Sequence, residues 1–565
     1  MPVSPGLTIG PAWIYHAVKV EVASRRVADP EAEWLRLQSA INLARDQLQA
    51  IEAKARKTIG DEEAEIFTAH QEFLDDVEVM AKVKASIIED RANAEMAVKS
   101  AFDEYAEALA NMEDPYFQAR AQDLVDVSER VLRCLQGHSE DGSSFLTEPS
   151  IVVATDLTPS DTVGFDRSKI LGICTAKGGP TSHTAILARS IGIPAVVGAS
   201  FEIDDLENDV LTILDGSEGS IIFGPSLYEL DQAKEKKAAW ESARAAQLAE
   251  ADKPAVTLDG HRVEVAANIG GVSDAIKAVE MGAEGVGLFR TEFLYLDRTE
   301  LLDLEDQISL YRDVFELMAG RPVVVRTLDI GGDKNVPYLG VAEEQNPFLG
   351  WRGIRMIRER PDLLENQLKA LLTAGAEADL RIMVPMVSGV GEVLRAREIF
   401  DQVRQDLESG GVLQDRKVEF GVMIEVPSAA LLADHIAQHV DFFSIGTNDL
   451  TQYAMAVDRT NERVTVLASP LNPAVLRLIS MTIEAGHRHG LWVGMCGELA
   501  GDPDAVPLLL GMGLDEFSMA PSSIPQVKQA IRSWSVDRCQ QIAQDALGMA
   551  RASAVREYLE GLTPE

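Results

Sequence analysis

Phe442-Phe443-Ser444-Ile445 runs directly into Gly446-Thr447-Asn448-Asp449-Leu450, so four mostly apolar residues give way to a glycine and then to polar residues at the start of a helical stretch. A run this short, bounded by a turn residue, reads as a strand buried on both faces. Seven further runs have the same form: Val263–Ala267, Gly285–Phe289, Val323–Val325, Ile382–Val387, Gly421–Ile424, Leu491–Met495 and Glu516–Met519. Eight βα units in roughly 300 residues predict a (β/α)8 TIM barrel over 255–565, with its active site at the C-terminal ends of the strands. Arg290, Arg326, Glu425, Asn448, Asp449 and Cys496 fall just past those ends. A structural rim would scatter residue types, whereas this set joins guanidiniums suited to anions with carboxylates suited to a metal.

Upstream the pattern changes. Between Ser24 and Glu140 there are only two glycines, Gly60 and Gly137, and two prolines, Pro30 and Pro115. Trp34, Leu37, Ile41, Ala44, Leu48 and Ile51 step by threes and fours, the apolar stripe of a helix packing against others. Residues 24–140 are therefore expected to form a helical bundle. Its flanks, 1–23 and 141–225, are rich in Gly, Val, Ile and Thr and read as short strands with short helices. They predict one discontinuous α/β domain into which the bundle is inserted. Residues 226–254, rich in Ala, Glu and Lys between Pro225 and Pro254, read as a connecting helix.

At 565 residues the chain exceeds one core, and its 46% hydrophobic and 25% charged composition is that of a multidomain globular protein. No stretch approaches the length of a membrane helix, and the start resembles no export signal, so a cytoplasmic protein without membrane insertion is expected. The four cysteines fit neither a zinc site nor a disulfide framework. With 52 Lys and Arg against 90 Asp and Glu, the net charge of -38 argues against a nucleic-acid partner and for a small basic protein partner. An anionic substrate then needs a locally built cationic pocket. The acids are dense from Asp61 to Met80, which holds eight of them and no base.

Gly178-Gly179-Pro180-Thr181-Ser182-His183-Thr184 sets a histidine after a glycine pair and at a predicted helix start, where free amides favour a phosphate on the imidazole. As nucleophile His183 must present a neutral nitrogen, its tautomer set by the bond at the other, for which Thr175 is a candidate. The barrel half supplies Arg290 in Phe289-Arg290-Thr291-Glu292, Arg326 in Arg326-Thr327-Leu328-Asp329, Arg352 in Gly350-Trp351-Arg352-Gly353 and Arg459 in Asp458-Arg459-Thr460-Asn461. Arginine grips phosphate and carboxylate bidentately. Glu425 and Asp449 offer hard oxygen ligands for Mg²⁺, and Cys496 at a strand end could exchange a proton with a bound enolate.

On Gly-Gly-x-Thr-Ser-His at 178–183, the arginine motifs, Gly-Thr-Asn-Asp-Leu-Thr-Gln-Tyr at 446–453 and Met-Cys-Gly-Glu-Leu-Ala-Gly-Asp at 495–502, the chain resembles the phosphoenolpyruvate-utilising enzymes, and among them the enzyme I group of the bacterial sugar phosphotransferase system. The resemblance spans essentially the whole chain. It implies that His183 takes the phosphoryl group of phosphoenolpyruvate and passes it to a histidine of the carrier HPr, with pyruvate as the other product. It further implies that Arg290, Arg326, Arg352, Arg459 and Asn448 hold substrate, Glu425 and Asp449 hold Mg²⁺, and Cys496 protonates the enolate. It implies a homodimer through the barrel, a swivelling phosphohistidine domain, and HPr docking on the bundle near Asp61, Glu62, Glu63, Glu65, His70, Asp75 and Asp76. Three features depart from the group: few residues before Ser4-Pro5-Gly6, which would clip the first strand, Pro180 where arginine is usual, and Thr460 where glycine is frequent. Phosphoenolpyruvate synthase and pyruvate phosphate dikinase share the histidine and barrel modules, but the glycine-poor bundle offers no nucleotide-binding domain.

Overall fold

The computed structural model describes residues 1–16, 22–58, 61–110, 115–137, 146, 148–158, 161, 165–179, 182, 184–185, 187–188, 192–296, 301–331, 344–413, 418–459, 461 and 464–565. They divide into two compact units, Met1–Ala243 and Arg244–Glu565.

The first unit is built on seven strands: β1 (Pro2–Ser4), β2 (Leu7–Tyr15), β3 (Ser150–Ala154), β4 (Ile170–Thr175), β5 (Ala195–Val196), β6 (Leu211–Asp215) and β7 (Ser220–Phe223). They lie in the order β1-β5-β4-β3-β2-β6-β7. β2 through β5 are mutually parallel, while β1, β6 and β7 pair antiparallel. β2 is nine residues long and central, joined to β3 in the register Ala12↔Ile151.

Between those two paired strands the chain leaves the sheet to form α1 (Pro30–Thr58), α2 (Asp61–Asp75), α3 (Val77–Ile88), α4 (Ala94–Ala110) and α5 (Pro115–Leu135). Leu37, Ile41, Ala44, Leu48 and Ile51 of the α1 stripe are buried, with Trp34 packed at their edge. α6 (Leu227–Ala249) is the next long helix and crosses from the first unit into the second.

The second unit opens with β8 (Ala255–Val256), a short antiparallel partner of β9 (Arg262–Ile269). Then come β10 (Val286–Arg290), β11 (Val323–Arg326), β12 (Leu380–Val384), β13 (Glu419–Ile424), β14 (Phe442–Ile445), β15 (Trp492–Met495) and β16 (Glu516–Met519). Each is parallel to the next, and β16 pairs back onto β9, closing an eight-stranded barrel. All eight runs read from the sequence are strands. One ends earlier than expected: β12 stops at Val384, because Pro385 has no N–H for the ladder and Met386 turns into the left-handed region at φ 59°. The freed Met386 N–H donates to Glu425 Oε1 at 2.6 Å.

The barrel interior carries Leu288, Val324, Met383, Met423, Phe442 and Cys496, while the larger core lies between strands and helices. At the N-terminal end Trp492 stacks on Phe442 with centroids 4.5 Å apart and carries the Arg381 guanidinium 4.8 Å over its ring. Glu516 is buried there, and burial, followed by the charge of Glu264, pushes its carboxyl up to about 8 despite Arg381. In the unfolded chain a glutamate titrates near 4.3, about four pH units lower.

The native barrel therefore keeps a proton that the unfolded chain gives up between about pH 4.3 and pH 8, and this group makes stability fall as pH rises through that window. Glu516→Gln preserves the shape without the charge. In urea unfolding followed from about pH 5 to about pH 8 the variant is expected to lose that part of the slope and to be the more stable protein at the upper end. Parallel stability curves for the two proteins would refute the assignment.

Candidate active site

The C-terminal ends of the barrel strands gather the cations and acids expected there. Arg290 ends β10 and lies opposite Arg326, which ends β11, in the parallel register. Arg326 is buried: Nη2 donates to Glu292, and Nη1 lies 3.2 Å from Asp329 Oδ2. Arg352, just before the short helical turn Gly353–Arg358, is 1% exposed. Its Nε and Nη2 each donate to Asp329 at 2.9 Å, and its Nη1 and Nη2 donate to the two oxygens of Asp449 at 3.0 and 3.2 Å. Tyr453 Oη lies 3.3 Å from the same Nη1. One guanidinium thus bridges two carboxylates bidentately, the geometry that suits its planar fork.

Burial opposes the charge on both arginines, but the surrounding acids outweigh it: Glu292, Asp329 and Glu425 raise Arg326, and Asp329, Asp449 and Glu425 raise Arg352. Glu425, past the end of β13, feels the reverse. Burial and then the charges of Asp449 and Asp329 push its carboxyl up to about 8, against Arg352 and Arg326. Gly446 makes room for it, since a Cβ there would stand 3.1 Å from Glu425 Oε2.

Asn448 and Asp449 lie in the first turn of helix Thr447–Met455, and Asn448 Oδ1 accepts from the Glu498 N–H at 3.1 Å. Arg459 lies 3.8 Å from Asp449 Oδ2 and stands over the Phe348 ring at 5.4 Å. Cys496 follows β15. Its thiol is buried, donates to the Ile445 carbonyl at 3.8 Å, and is pushed up to about 11 by that burial, against the positive charge of Arg326 and Arg290. The sulfur therefore carries its proton at neutral pH. Asn268 fixes the Cys496 backbone, donating from Nδ2 to its carbonyl at 2.9 Å while accepting from Ser518 Oγ at 2.6 Å.

All the barrel residues singled out from the sequence are thus at one end of one barrel. Glu292 and Asp329, which organise the arginines, were not singled out, although both stand inside the quoted motifs two and three positions after an arginine. Tyr453 likewise closes the quoted 446–453 motif. Asn268 has no sequence signal beyond its place at the end of a strand.

In the first unit His183, Pro180 and Thr181 lie outside the described residues, as does Thr460 in the second. Gly178 adopts φ +97°, a conformation glycine takes without strain, and Ser182 Oγ accepts from the Ala185 N–H at 3.4 Å. Thr184, Ala185, Leu187 and Ala188 are helical and buried. Thr175 Oγ1 donates to Lys177 O at 2.7 Å, which uses its one proton and leaves its lone pairs to offer.

Within the acidic stretch, His70 is buried, with Asp123 3.5 Å from Nε2 and Asp126 3.8 Å from Nδ1. It is part of the bundle core, not of an accessible docking face. Asp75 pairs with Arg45 at 2.7 Å and Asp76 caps α3. The side chains of Asp61, Glu62, Glu63 and Glu65 lie outside the described residues.

Family comparison accounts for the arrangement. The PEP-binding domain of the PEP-utilising enzymes matches residues 244–536, their N-terminal domain residues 1–120 and their mobile domain residues 146–219. The chain belongs to the PEP-utilising enzyme family. Relatives within it include the phosphoenolpyruvate-protein phosphotransferase of Priestia megaterium, 44% identical over 99% of this chain and 97% of its own length. That of Bacillus subtilis (strain 168) is 43% identical over 99% of this chain and 98% of its own. An NMR solution structure of Enzyme I (nEIt) protein is 36% identical, covers 42% of this chain and 97% of that one, and aligns with a TM-score of 0.37.

Removing Arg352 from this PEP-utilising enzyme takes from Asp329 and Asp449 the buried guanidinium they share, leaving Asp329 with Arg326 and Asp449 with the more exposed Arg459. Arg352→Ala is expected to destabilise the barrel unit by about 3–5 kcal/mol in chemical unfolding. A loss below about 1 kcal/mol, the scale of an exposed ion pair, would refute a buried bridge.

Proposed function

We propose that this PEP-utilising enzyme transfers the phosphoryl group of phosphoenolpyruvate to its own His183 and then to a histidine of HPr, releasing pyruvate, as the first step of phosphotransferase-system sugar uptake. The activity is that of its relatives, the phosphoenolpyruvate-protein phosphotransferases, matched over almost their full length. The observation that carries the residue assignment is the convergence of Arg290, Arg326, Arg352, Glu425, Asp449 and Cys496 at the C-terminal mouth of one barrel. In this reading 1–23 and 141–225 form the phosphohistidine domain, 24–140 the HPr-docking bundle, 226–254 the connecting helix, and 255–565 the substrate barrel and dimer contact of a cytoplasmic enzyme. Among the described residues no helix is long and apolar enough to cross a membrane.

Arg290, Arg326, Arg352 and Arg459, with Asn448, grip the phosphate and carboxylate of the substrate. The enol oxygen–phosphorus bond breaks as a bond from phosphorus to a His183 nitrogen forms. The electron pair left on the enolate takes a proton at its terminal carbon from Cys496 Sγ, which suits a thiol held protonated at neutral pH. Glu425 and Asp449 would hold Mg²⁺: two carboxylates that repel one another, beside a glycine that leaves room, fit a hard cation that also takes substrate oxygens. When bound, that ion supplies positive charge to the transferring phosphoryl group. HPr would meet the acidic bundle, its basic surface complementing the net negative charge.

With labelled phosphoenolpyruvate, Mg²⁺ and HPr, the wild type is expected to release pyruvate and to acquire acid-labile phosphate, which His183→Ala lacks entirely. Cys496→Ala is expected to slow pyruvate formation by about 10²–10⁴-fold. Full labelling of His183→Ala would identify a different acceptor, and an undiminished rate in Cys496→Ala a different acid. Arg326→Ala should lose transfer from phosphoenolpyruvate while binding HPr as before, and parallel loss of both would contradict separate stations.

A further inference from the structure

Gln367 lies in helix Pro361–Ala374, away from every motif named above, and is 2% exposed. Its Oε1 accepts from the Leu328 N–H at 2.8 Å, and its Nε2 donates to Thr291 Oγ1 at 3.0 Å and to Tyr311 Oη at 3.1 Å. Thr291 Oγ1 in turn donates to the Arg326 carbonyl at 2.8 Å. The amide orientation is unambiguous: Leu328 N–H can only donate, so the oxygen must face it.

These contacts fall on the residue after Arg290 and the residue two after Arg326. While both chains are in β10 and β11, the sheet ladder sets their spacing, Arg290 opposite Arg326. Beyond those residues the strands end, yet the segments 291–292 and 327–329 still have to place Glu292 and Asp329, the two acids that orient the Arg326 guanidinium. One side chain from a third element ties the two segments together where the ladder stops.

We infer that Gln367 is a positioning residue for phosphoenolpyruvate binding, holding the β10 and β11 ends so that Arg290 and Arg326 meet one substrate together. The inference rests on the proposed function. It assigns Gln367 no contact with substrate. Because the arginines engage phosphate and carboxylate already in the ground state, loosening their spacing raises KM and leaves kcat nearly unchanged, a split that mere loss of folded protein does not produce.

The test compares wild type, Gln367→Met, which keeps the volume without the hydrogen bonds, and Thr291→Val, which removes the hydroxyl at the other end of the link. For each, phosphorylation of His183 is measured against phosphoenolpyruvate concentration in saturating Mg²⁺. Phosphoryl exchange between HPr and His183, which uses no barrel residue, is the internal reference. Each variant is expected to show a KM about tenfold higher with kcat within about twofold and the exchange reaction intact. The double variant should show less than the product of the two effects, because both break one link. A KM within twofold of wild type in either folded variant, or a fall in kcat and exchange in step with lost folded protein, would overturn the inference. Absence of phosphoenolpyruvate-dependent labelling in the wild type would instead overturn the proposed function.

Discussion

The guanidinium of Arg352, shut away from water between Asp329 and Asp449, is the contact around which the barrel mouth is organised. A buried charge is tolerable only with partners, and here each partner belongs to a different βα loop. Asp329 also meets Arg326, Asp449 also lies near Arg459, and Glu425 lies within the field of both buried arginines. Displacing any one group exposes the others to uncompensated charge, so the segments that follow three strands, β11, β13 and β14, are held in one arrangement before substrate arrives. Such preorganisation is where an enzyme working on a highly charged ester gains most, since fixed dipoles and ions need not reorganise during transfer.

Much of this was legible in the sequence because barrel strands are short, apolar and regularly spaced. The eight runs from Val263 to Met519 stand out, and residues just past their ends inherit a position without further information. Bundle helix α1 was equally plain, since Leu37, Ile41, Ala44, Leu48 and Ile51 repeat at helical spacing and all are buried. The pattern failed at Val384, where periodicity saw only Pro385-Met386-Val387 as more apolar residues and could not register that a proline ends a ladder. His70 was misread for a related reason. It lies within a stretch dense in acids, and only the tertiary packing of α5 brings Asp123 and Asp126 around it.

What the sequence could not disclose is mostly second-order geometry. Glu292 and Asp329 look like ordinary acids until their arginines are seen to be buried. Asn268 touches only the backbone of Cys496, so no residue-type logic points to it. The four arginines were legible despite the strong overall acidity, but not the carboxylates that neutralise them locally. Net charge describes the field met by a distant partner, whereas binding is decided by the handful of charges within hydrogen-bond reach.

The insertion of five helices between β2 and β3 has a cost during synthesis. Ala12 pairs with Ile151, so a central strand of the first sheet leaves the ribosome about 140 residues before its parallel neighbour. At ordinary elongation rates that is a wait on the order of ten seconds, far longer than a helical bundle needs to fold. The bundle is therefore free to become a finished object first, holding the two ends of the interrupted sheet near one another, while an apolar nascent strand depends in the interval on chaperones or on its own transient contacts to stay out of aggregates.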